Sequence, residues 1–221
     1  MQRMQIEAQL AAGCRRLAGK GFFHSPAESF SMRAPEKMEM ILAAGHSDWR
    51  HIEFADLQTV SIVECEGVCG LHASIYRQRA DVGAIAISTP KGARLLAGFG
   101  GLMPPIFDEQ VRHIGGAAGP LPDGIAPGSE LVQEAFGKGA NAALLGKQLL
   151  CLGMTCERVL FNTELYEKCA QAYLLAKASG SRIGHIPLWV RIIASRRLLK
   201  DERRAAESYR NGRVPESMTA Y

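Results

Sequence analysis

An unbroken apolar strand near the middle of the chain constrains the fold more than any other feature. Residues 82–87 (VGAIAI) are apolar with almost no alternation, and Ser88-Thr89-Pro90 ends the run in a polar turn. A strand with one face in water alternates apolar and polar residues, whereas an unbroken run is typical of a strand covered on both faces. The run therefore predicts the central strand of a sheet.

The segments around this strand mix predicted helices and strands without regular β–α–β alternation. Helices are predicted at residues 2–18, 70–79, 90–99, 129–136 and 155–179, and strands at 29–33, 38–43, 59–65, 82–87, 142–145 and 149–152. This mixture predicts an α+β class or a three-layer sandwich on a largely antiparallel sheet. Residues 1–185 are expected to form the domain. Residues 186–221 are expected to form a helical C-terminal extension that becomes polar and loose by Arg210.

Size and charge exclude several classes of protein. The 221 residues are 47% hydrophobic and 22% charged, which is enough apolar content for one full core and is not typical of a disordered chain. The net charge of +4 arises largely from basic residues at 196–204, a run that fits a solvated helix face better than a nucleic-acid site. No apolar run is long enough for a bilayer span or a signal peptide, so a cytoplasmic location is expected.

The six cysteines are scattered through the sequence, and most lie among apolar residues. This pattern favours buried thiols in a reducing compartment. Cys65 and Cys69 form a C-x-x-x-C pair, and with Glu64 and Glu66 they could build a metal site. Zinc pairs are usually C-x-x-C with a second pair elsewhere, which the sequence lacks, so we do not expect zinc there.

Five segments follow one another in a specific order and spacing. They are GFF at 21–23 leading to SMR at 31–33, DL at 56–57, LHASIYRQRADVGAIAISTP at 71–90, LLGKQ at 144–148 and the helix at 164–176. Over residues 8–179 the chain thereby resembles the class II aldolase/adducin family.

The resemblance implies a three-layer α/β/α sandwich on a largely antiparallel central sheet, and often a homotetramer. The enzymes of the family hold a divalent metal, usually zinc, in sites between subunits. The metal polarises a carbonyl and stabilises an enediolate during aldol cleavage or epimerisation of sugar phosphates. Neutral imidazoles suit this chemistry because they hold the metal and leave a position open for substrate.

The residues at the family's metal-binding positions depart from that pattern. The resemblance places its His-x-His pair at Ile87 and Thr89, its third histidine at Gln148, and its acidic ligand at Val68, four residues before His72. Ile and Val side chains have no lone pair, and Thr and Gln are weak neutral ligands for zinc. We therefore expect no metal ligands and no cofactor, and zinc or another divalent metal would require a rebuilt site.

The family's phosphate-binding positions also differ, because they hold Glu28-Ser29 and Glu66-Gly67. Carboxylates at these places would repel a phosphate dianion. A rebuilt site would use other side chains. The expected catalytic residues are His24, His113 and Glu66, and the expected substrate-binding residues are Glu28, Ser29, Arg33, Val68, Ile87, Thr89 and Gln148.

Each of these candidates also has a plain structural explanation. His24 fits an ordinary loop histidine, His113 fits a solvated turn, and His72 fits a helix histidine packed in the core. Arg33, Arg77 and Arg79 could bind an anionic ligand, and exposed ion pairs are the plain alternative for all three.

Two functions remain open. The first is a metal-free member of the family with a binding, regulatory or assembly role, expected to form a homo-oligomer such as a tetramer. Its ligand would be a small molecule, with no membrane or nucleic-acid partner. The second is a lyase or isomerase that acts through a rebuilt site on a small hydroxy-carbonyl compound without phosphate.

Overall fold

Six strands of the described chain form one sheet in which every neighbouring pair is antiparallel. The computed structural model describes residues 2–35, 37–116, 119–137, 139–180 and 182–216. In chain order the strands are β1 (Ser29–Ala34), β2 (Glu39–Ala44), β3 (Gln58–Ser61), β4 (Ala84–Ser88), β5 (Ala142–Leu145) and β6 (Gln148–Gly153). Across the sheet the order is β3-β2-β1-β4-β6-β5.

Six α-helices and two short turns complete the described elements. The helices are α1 (Gln2–Gly19), α2 (Gly67–Gln78), α3 (Lys91–Gly98), α4 (Glu130–Gly137), α5 (Cys156–Ala178) and α6 (Leu188–Arg210). A 3-10 turn covers Phe54–Asp56 and a π-helical turn covers Gln110–Ile114. Thr155 begins α5 as its sequence position suggests, because its hydroxyl accepts the Arg158 backbone N–H at 3.2 Å. No helix within these described ranges is both long and apolar enough to cross a bilayer.

Helices cover both faces of the sheet. On one face, Ala84 and Ala86 of β4 belong to an apolar cluster with residues of α1, α3 and α5. On the other face, Ile85 and Ile87 join a second cluster with residues of α2 and α4. All five residues of β4 are buried between β1 and β6. The predicted central strand and the predicted three-layer α/β/α architecture are both confirmed.

The connection from β3 to α2 differs from the prediction. The third strand was expected to cover residues 59–65, but β3 ends at Ser61 and residues 62–66 turn towards the helix. Helix α2 begins at Gly67, three residues earlier than predicted. Gly67 has a φ of +68°, a conformation that residues with a Cβ rarely adopt, and it lets the chain enter α2 abruptly.

The cysteines differ in part from the prediction. Four of them are buried free thiols as expected, namely Cys14, Cys151, Cys156 and Cys169. Cys65 and Cys69, however, are only half-buried and form a disulfide, with their Cα atoms 5.8 Å apart. The turn that leads from β3 into α2 brings Cys65 beside Cys69, which lies in the first turn of the helix.

Helix α6 packs against the domain through buried polar contacts. Glu202 accepts a hydrogen bond from Arg79 at 3.1 Å, and the Tyr209 hydroxyl donates to the Met154 carbonyl at 2.8 Å. A Cβ at Gly83 would lie 1.7 Å from the Tyr209 hydroxyl oxygen, so this close approach requires glycine. The division between residues 185 and 186 stays a prediction. The loose end predicted after Arg210 falls partly on residues 217–221, outside the described chain.

Candidate functional site

Several of the candidate residues lie together at one edge of the sheet, where β4 ends and β1 and β6 begin. Because β4 is antiparallel to β1 and β6, the end of β4 lies beside the beginnings of both neighbours. Ser29 pairs with Ile87, and Leu149 pairs with Ser88. The chain around Glu28, Thr89 and Gln148 therefore meets at this edge.

Glu28 is the most enclosed charged residue of this edge, with 1% of its surface exposed. Its carboxylate accepts the backbone N–H of Ser25 at 2.6 Å and that of His24 at 3.3 Å. The Thr89 hydroxyl donates to its other oxygen. A buried carboxylate requires such partners, because an unpaired buried charge is very unfavourable. The loop before β1 is thus folded around a negative charge of its own chain.

His24 and Gln148 complete this cluster from opposite sides. The His24 side chain is 47% exposed, and its ring nitrogens lie 3.3 and 3.4 Å from the Thr89 hydroxyl oxygen. Its Nδ1 lies 3.9 Å from Glu28 Oε1. The Gln148 amide donates to the Ala27 carbonyl at 2.8 Å. The structure therefore brings together four predicted residues in a half-open polar cluster, which we call the Glu28 cluster: His24, Glu28, Thr89 and Gln148.

Behind this cluster lies a fully buried histidine. The Ser29 hydroxyl lies 2.9 Å from His72 Nε2, and the Ser31 hydroxyl lies 2.7 Å from Nδ1. Tyr76 hydroxyl contacts Ser31 at 2.9 Å. Burial lowers the pKa of His72 to about 3, so the ring is neutral at ordinary pH. His72 is a packed core histidine, and Ser29 is one of its partners.

Two of the four positions assigned to metal ligands hold apolar side chains. Ile87 is buried in the apolar cluster beneath α2, and Val68 is 51% exposed in the first turn of α2. The hydroxyl and amide of the other two, Thr89 and Gln148, are already hydrogen-bonded to Glu28 and Ala27. Within the described residues, no three His, Cys, Asp or Glu side chains are grouped to hold a metal ion. This donor set does not fit a zinc ion of the family type.

Three other candidates lie away from the Glu28 cluster. Arg33 is at the far end of β1, where its backbone N–H bonds to Gly83 and its guanidinium lies 5.0 and 5.6 Å from the ring centres of Tyr76 and Tyr209. β4 separates the two ends by about 16 Å at ~3.3 Å per residue. The expected exposed ion pair for Arg33 is wrong, because its guanidinium donates to the Tyr76 and Arg79 carbonyls.

His113 also belongs to that far end. Its carbonyl accepts the Asn141 side-chain amide at 3.2 Å, and Asn141 directly precedes β5, opposite the end of β6. The ring is buried against Phe161 and in contact with Arg158, so the solvated turn suggested for His113 is wrong. Burial and the charge of Arg158 lower its pKa to about 3.

Glu66 stands at the start of α2 with an exposed side chain. Its neighbour Glu64 is also exposed, and the sulfurs of Cys65 and Cys69 are bonded to each other. The structure therefore does not assemble the alternative metal site considered for these four residues.

The exposed ion pair suggested for Arg79 is wrong, because Arg79 is buried in a second polar network at the far end, which the sequence reasoning missed. Arg79 donates to both carboxylate oxygens of Asp81 at 2.8 and 2.7 Å and to Glu202 at 3.1 Å. Asn141 accepts from Arg79 at 2.9 Å and donates to Glu202 at 3.0 Å. The R-x-D pattern at 79–81 was a local signal for the first pair, but the contact with α6 spans more than 120 residues and has no local signal.

A cavity of about 580 Å³ also lies at this far end. It is bounded by the start of α5 and the end of α6, including Thr155, Arg158, Arg204 and Arg213. Asp201 and Glu216 line it as well, so its charges largely balance. This cavity is remote from the Glu28 cluster and adds no residue to it.

Comparison with known proteins supports the family assignment. Residues 8–174 match the model of the Class II Aldolase and Adducin N-terminal domain. L-fuculose 1-phosphate aldolase from Glaciozyma antarctica is 20% identical over 94% of this chain and 89% of that chain, with a TM-score of 0.72. YgbL from Klebsiella pneumoniae is 18% identical over 88% of this chain and 99% of that chain, with a TM-score of 0.74.

An aldolase II superfamily protein from Pseudomonas syringae is 18% identical over 90% of this chain and 85% of that chain, with a TM-score of 0.71. At these identities the similarity of the structures shows the fold alone. None of the curated proteins matches the sequence. The family match covers most of the chain and agrees with the observed three-layer fold. The chain belongs to the class II aldolase and adducin family.

Proposed function

We propose that this protein is a member of the family without zinc-dependent aldol chemistry, and that it serves as a binding and assembly domain. The observation that carries the proposal is the set of side chains at the expected ligand positions. Val68 and Ile87 have no donor atoms, while Thr89 and Gln148 bond within the chain. Aldol cleavage by the family's route needs a Lewis acid at the carbonyl oxygen, and this set supplies no ligands to hold one.

The Glu28 carboxylate also favours a ligand without a phosphate group. It occupies the backbone N–H groups of His24 and Ser25, which would otherwise be available to an anion. A phosphate group would have to displace a carboxylate of the chain and would be repelled by it. We therefore propose that any small-molecule ligand of the Glu28 cluster is neutral or cationic.

Assembly is supported by exposed apolar side chains of α6. Leu188, Ile192 and Leu199 recur at helical spacing on one side of the helix, with exposed fractions of 68%, 44% and 46%. The neighbouring Trp189 and Ile193 are 66% and 47% exposed. We call these five residues the apolar face of α6. Contiguous apolar surface of this kind marks interaction sites, and a second copy of this chain is the proposed occupant.

Activity measurements test the proposed loss of aldol chemistry. The purified chain, supplied with excess zinc, is expected to release no aldehyde from L-fuculose 1-phosphate or related ketose 1-phosphates above the rate without protein. Zinc-dependent cleavage that disappears with a chelator would contradict the proposal. Thr89→Val serves as a matched variant, because a zinc-dependent activity carried by this edge would change with it.

A second candidate function rests on the position of His24. Its exposed imidazole lies beside a buried carboxylate and a hydroxyl, and such a group can transfer protons for a lyase or isomerase acting on a hydroxy-carbonyl compound without phosphate. In this case His24 and Glu28 would act together, while His113 and Glu66 would have no part at the same centre. Turnover of such a compound by the metal-free protein, abolished in His24→Ala and retained in His113→Ala, would favour this candidate over the first.

A further inference from the structure

The pair formed by Cys65 and Cys69 is chemically distinct from the other cysteines. Cys65 lies in the turn after β3 and Cys69 in the first turn of α2, and both side chains are half-buried. Their Cα separation of 5.8 Å lies within the normal range for a disulfide. The bond therefore forms within the native backbone and closes only a short loop. Small thiols can reach it from solvent.

The remaining thiols are protected from the same chemistry. Cys14, Cys151 and Cys169 have no exposed surface, and Cys156 is 5% exposed. Burial raises the pKa of Cys151, Cys156 and Cys169 to about 12, which suppresses the thiolate that reacts with disulfides. Thiol exchange in the folded chain is thus confined to one pair out of six cysteines.

The bond holds a short segment whose other hydrogen bonds are local, since the Ser61 hydroxyl accepts the backbone N–H groups of Val63 at 3.1 Å and Glu64 at 3.3 Å. On one side Ile62 is anchored, because its N–H donates to the Met38 carbonyl at 2.9 Å. On the other side Gly70 packs tightly, since a Cβ there would lie 3.0 Å from the Cys65 carbonyl oxygen. Between these anchors Val63, Glu64, Glu66 and Val68 are exposed. The disulfide is the covalent tie that fixes this segment against α2.

We propose that Cys65 and Cys69 form a reversible thiol–disulfide exchange site whose co-reactants are small-molecule disulfides and thiols. In the oxidising direction, one cysteine thiolate attacks a disulfide R–S–S–R, forms a mixed disulfide and releases R–S⁻. The second thiolate attacks the protein sulfur of that mixed disulfide, closes the Cys65–Cys69 bond and releases the second R–S⁻. Two electrons pass from the protein to the small disulfide, and the two cysteine protons go to solvent.

The site also controls the order of its own segment. In the reduced form the Cys69 thiol can donate to the Glu66 carbonyl, whose oxygen lies 2.8 Å from the sulfur, but the covalent tie to Cys65 is gone. Residues 63–69 then become more mobile, and with them the start of α2. This inference is independent of the proposed function, because it requires no metal and no ligand in the Glu28 cluster.

Mass spectrometry of the intact folded chain tests the exchange directly. The protein is equilibrated in mixtures of oxidised and reduced glutathione, alkylated without denaturant, and digested with trypsin. The peptide from His51 to Arg77 contains both cysteines of the pair and no others. We expect it to convert reversibly between a doubly alkylated form and an unalkylated disulfide form, two hydrogens lighter than the unmodified dithiol peptide, while the four buried cysteines stay unalkylated.

Three results would overturn the inference: a peptide that is doubly alkylated in every mixture, a stable glutathione adduct as the end product, or equal alkylation of the buried cysteines.

Hydrogen exchange of residues 62–70 tests whether the disulfide controls the order of this segment. Exchange is expected to be severalfold faster in the reduced protein, and in Cys65→Ser and Cys69→Ser under either condition. Cys169→Ser keeps the Cys65–Cys69 pair and is the matched control, so its exchange should follow that of the wild type. Equal exchange in the oxidised and reduced wild type would refute the proposed control of order.

Discussion

At the scale of single residues, Glu28 shows how a buried charge is accommodated at this edge. Its carboxylate accepts hydrogen bonds from two backbone N–H groups and the Thr89 hydroxyl inside the chain. Buried donors left without an acceptor are costly, and charged acceptors make the stronger hydrogen bonds. The cluster is therefore a stabilising feature of the free protein, whatever it binds.

The Glu28→Ala substitution tests this stabilisation. It would leave the N–H groups of His24 and Ser25 without their acceptor, so we expect a loss of about 1–3 kcal/mol in the free energy of unfolding. Urea denaturation provides the measurement. Thr89→Val should cost less, because only one donor is removed. Glu64→Ala, at an exposed carboxylate, is the control, and a Glu28→Ala variant as stable as this control would argue against the cluster.

Acidification is expected to destabilise the protein through its buried histidines. His72 and His113 have folded pKa values lowered to about 3, whereas the unfolded chain takes up a proton near pH 6.5. Between these values the unfolded state binds more protons, so stability falls as pH falls. At pH 5 each histidine contributes a loss of roughly 2 kcal/mol relative to pH 7.

Urea unfolding at pH 5, 6 and 7 measures this dependence. His72→Gln is expected to reduce the slope by about half, since His113 still contributes. His185→Gln serves as the matched control because its side chain is exposed. A slope unchanged in His72→Gln would contradict this, because it would mean that His72 takes up a proton as readily in the folded protein as in the unfolded chain.

Predictions for single residues succeeded where a local sequence pattern determines the contact and failed where distant segments make it. His72 was expected to pack in the core, and alternation along β1 would have placed Ser29 and Ser31 on one face. Helix α2 packs on that face through contacts between distant segments, and no local sequence pattern predicts such contacts. For the same reason His113, 89 residues from His24 in the sequence, could not be assigned to the opposite end of the sheet.

At the scale of secondary structure, strong local patterns predicted the elements well. The apolar run of β4, the alternation in β1 and the capped start of α5 were each found within one or two residues of their predicted bounds. The π-helical turn Gln110–Ile114 was not predicted, since its neighbourhood is rich in glycine and proline. Its buried residues pack under α6 and α5, so tertiary contacts stabilise it.

The attachment of α6 is expected to depend on Arg79. Arg79→Met would leave the carboxylates of Asp81 and Glu202 buried without their cation, and breaking a buried pair in this way costs about 3–5 kcal/mol. Thermal unfolding by circular dichroism should show a lower midpoint. Arg94→Met, at an exposed arginine of α3, is the matched control. Equal midpoints for the two variants would mean that the Arg79 ion pairs do not contribute to holding α6.

At the scale of the whole molecule, the antiparallel sheet explains why distant segments meet. The loop before β1, the end of β4 and the start of β6 share one edge only because both neighbours run opposite to β4. The three-layer fold was predictable from the element order and the family resemblance. The exposure of the apolar face of α6 was not, because it depends on how the helix packs against distant segments.

Oligomeric state is expected to depend on the apolar face of α6. The wild-type chain should elute as a homo-oligomer in size-exclusion chromatography with light scattering, and the double substitution Trp189→Ser, Ile192→Ser should shift it to smaller mass at equal concentration. Met38→Ser removes an exposed methionine from the turn before β2 and should leave the mass unchanged. A monomeric wild type would refute the proposed assembly.

The stoichiometry of bound zinc tests the central proposal most directly. The chain is purified, incubated with excess zinc, dialysed and measured by elemental analysis, with protein concentration determined independently. With Val68, Ile87, Thr89 and Gln148 at the positions proposed for the ligands, the chain is expected to retain far less than one zinc per molecule. Retention of one zinc per chain, reduced in Thr89→Val or in Gln148→Ala, would contradict the account.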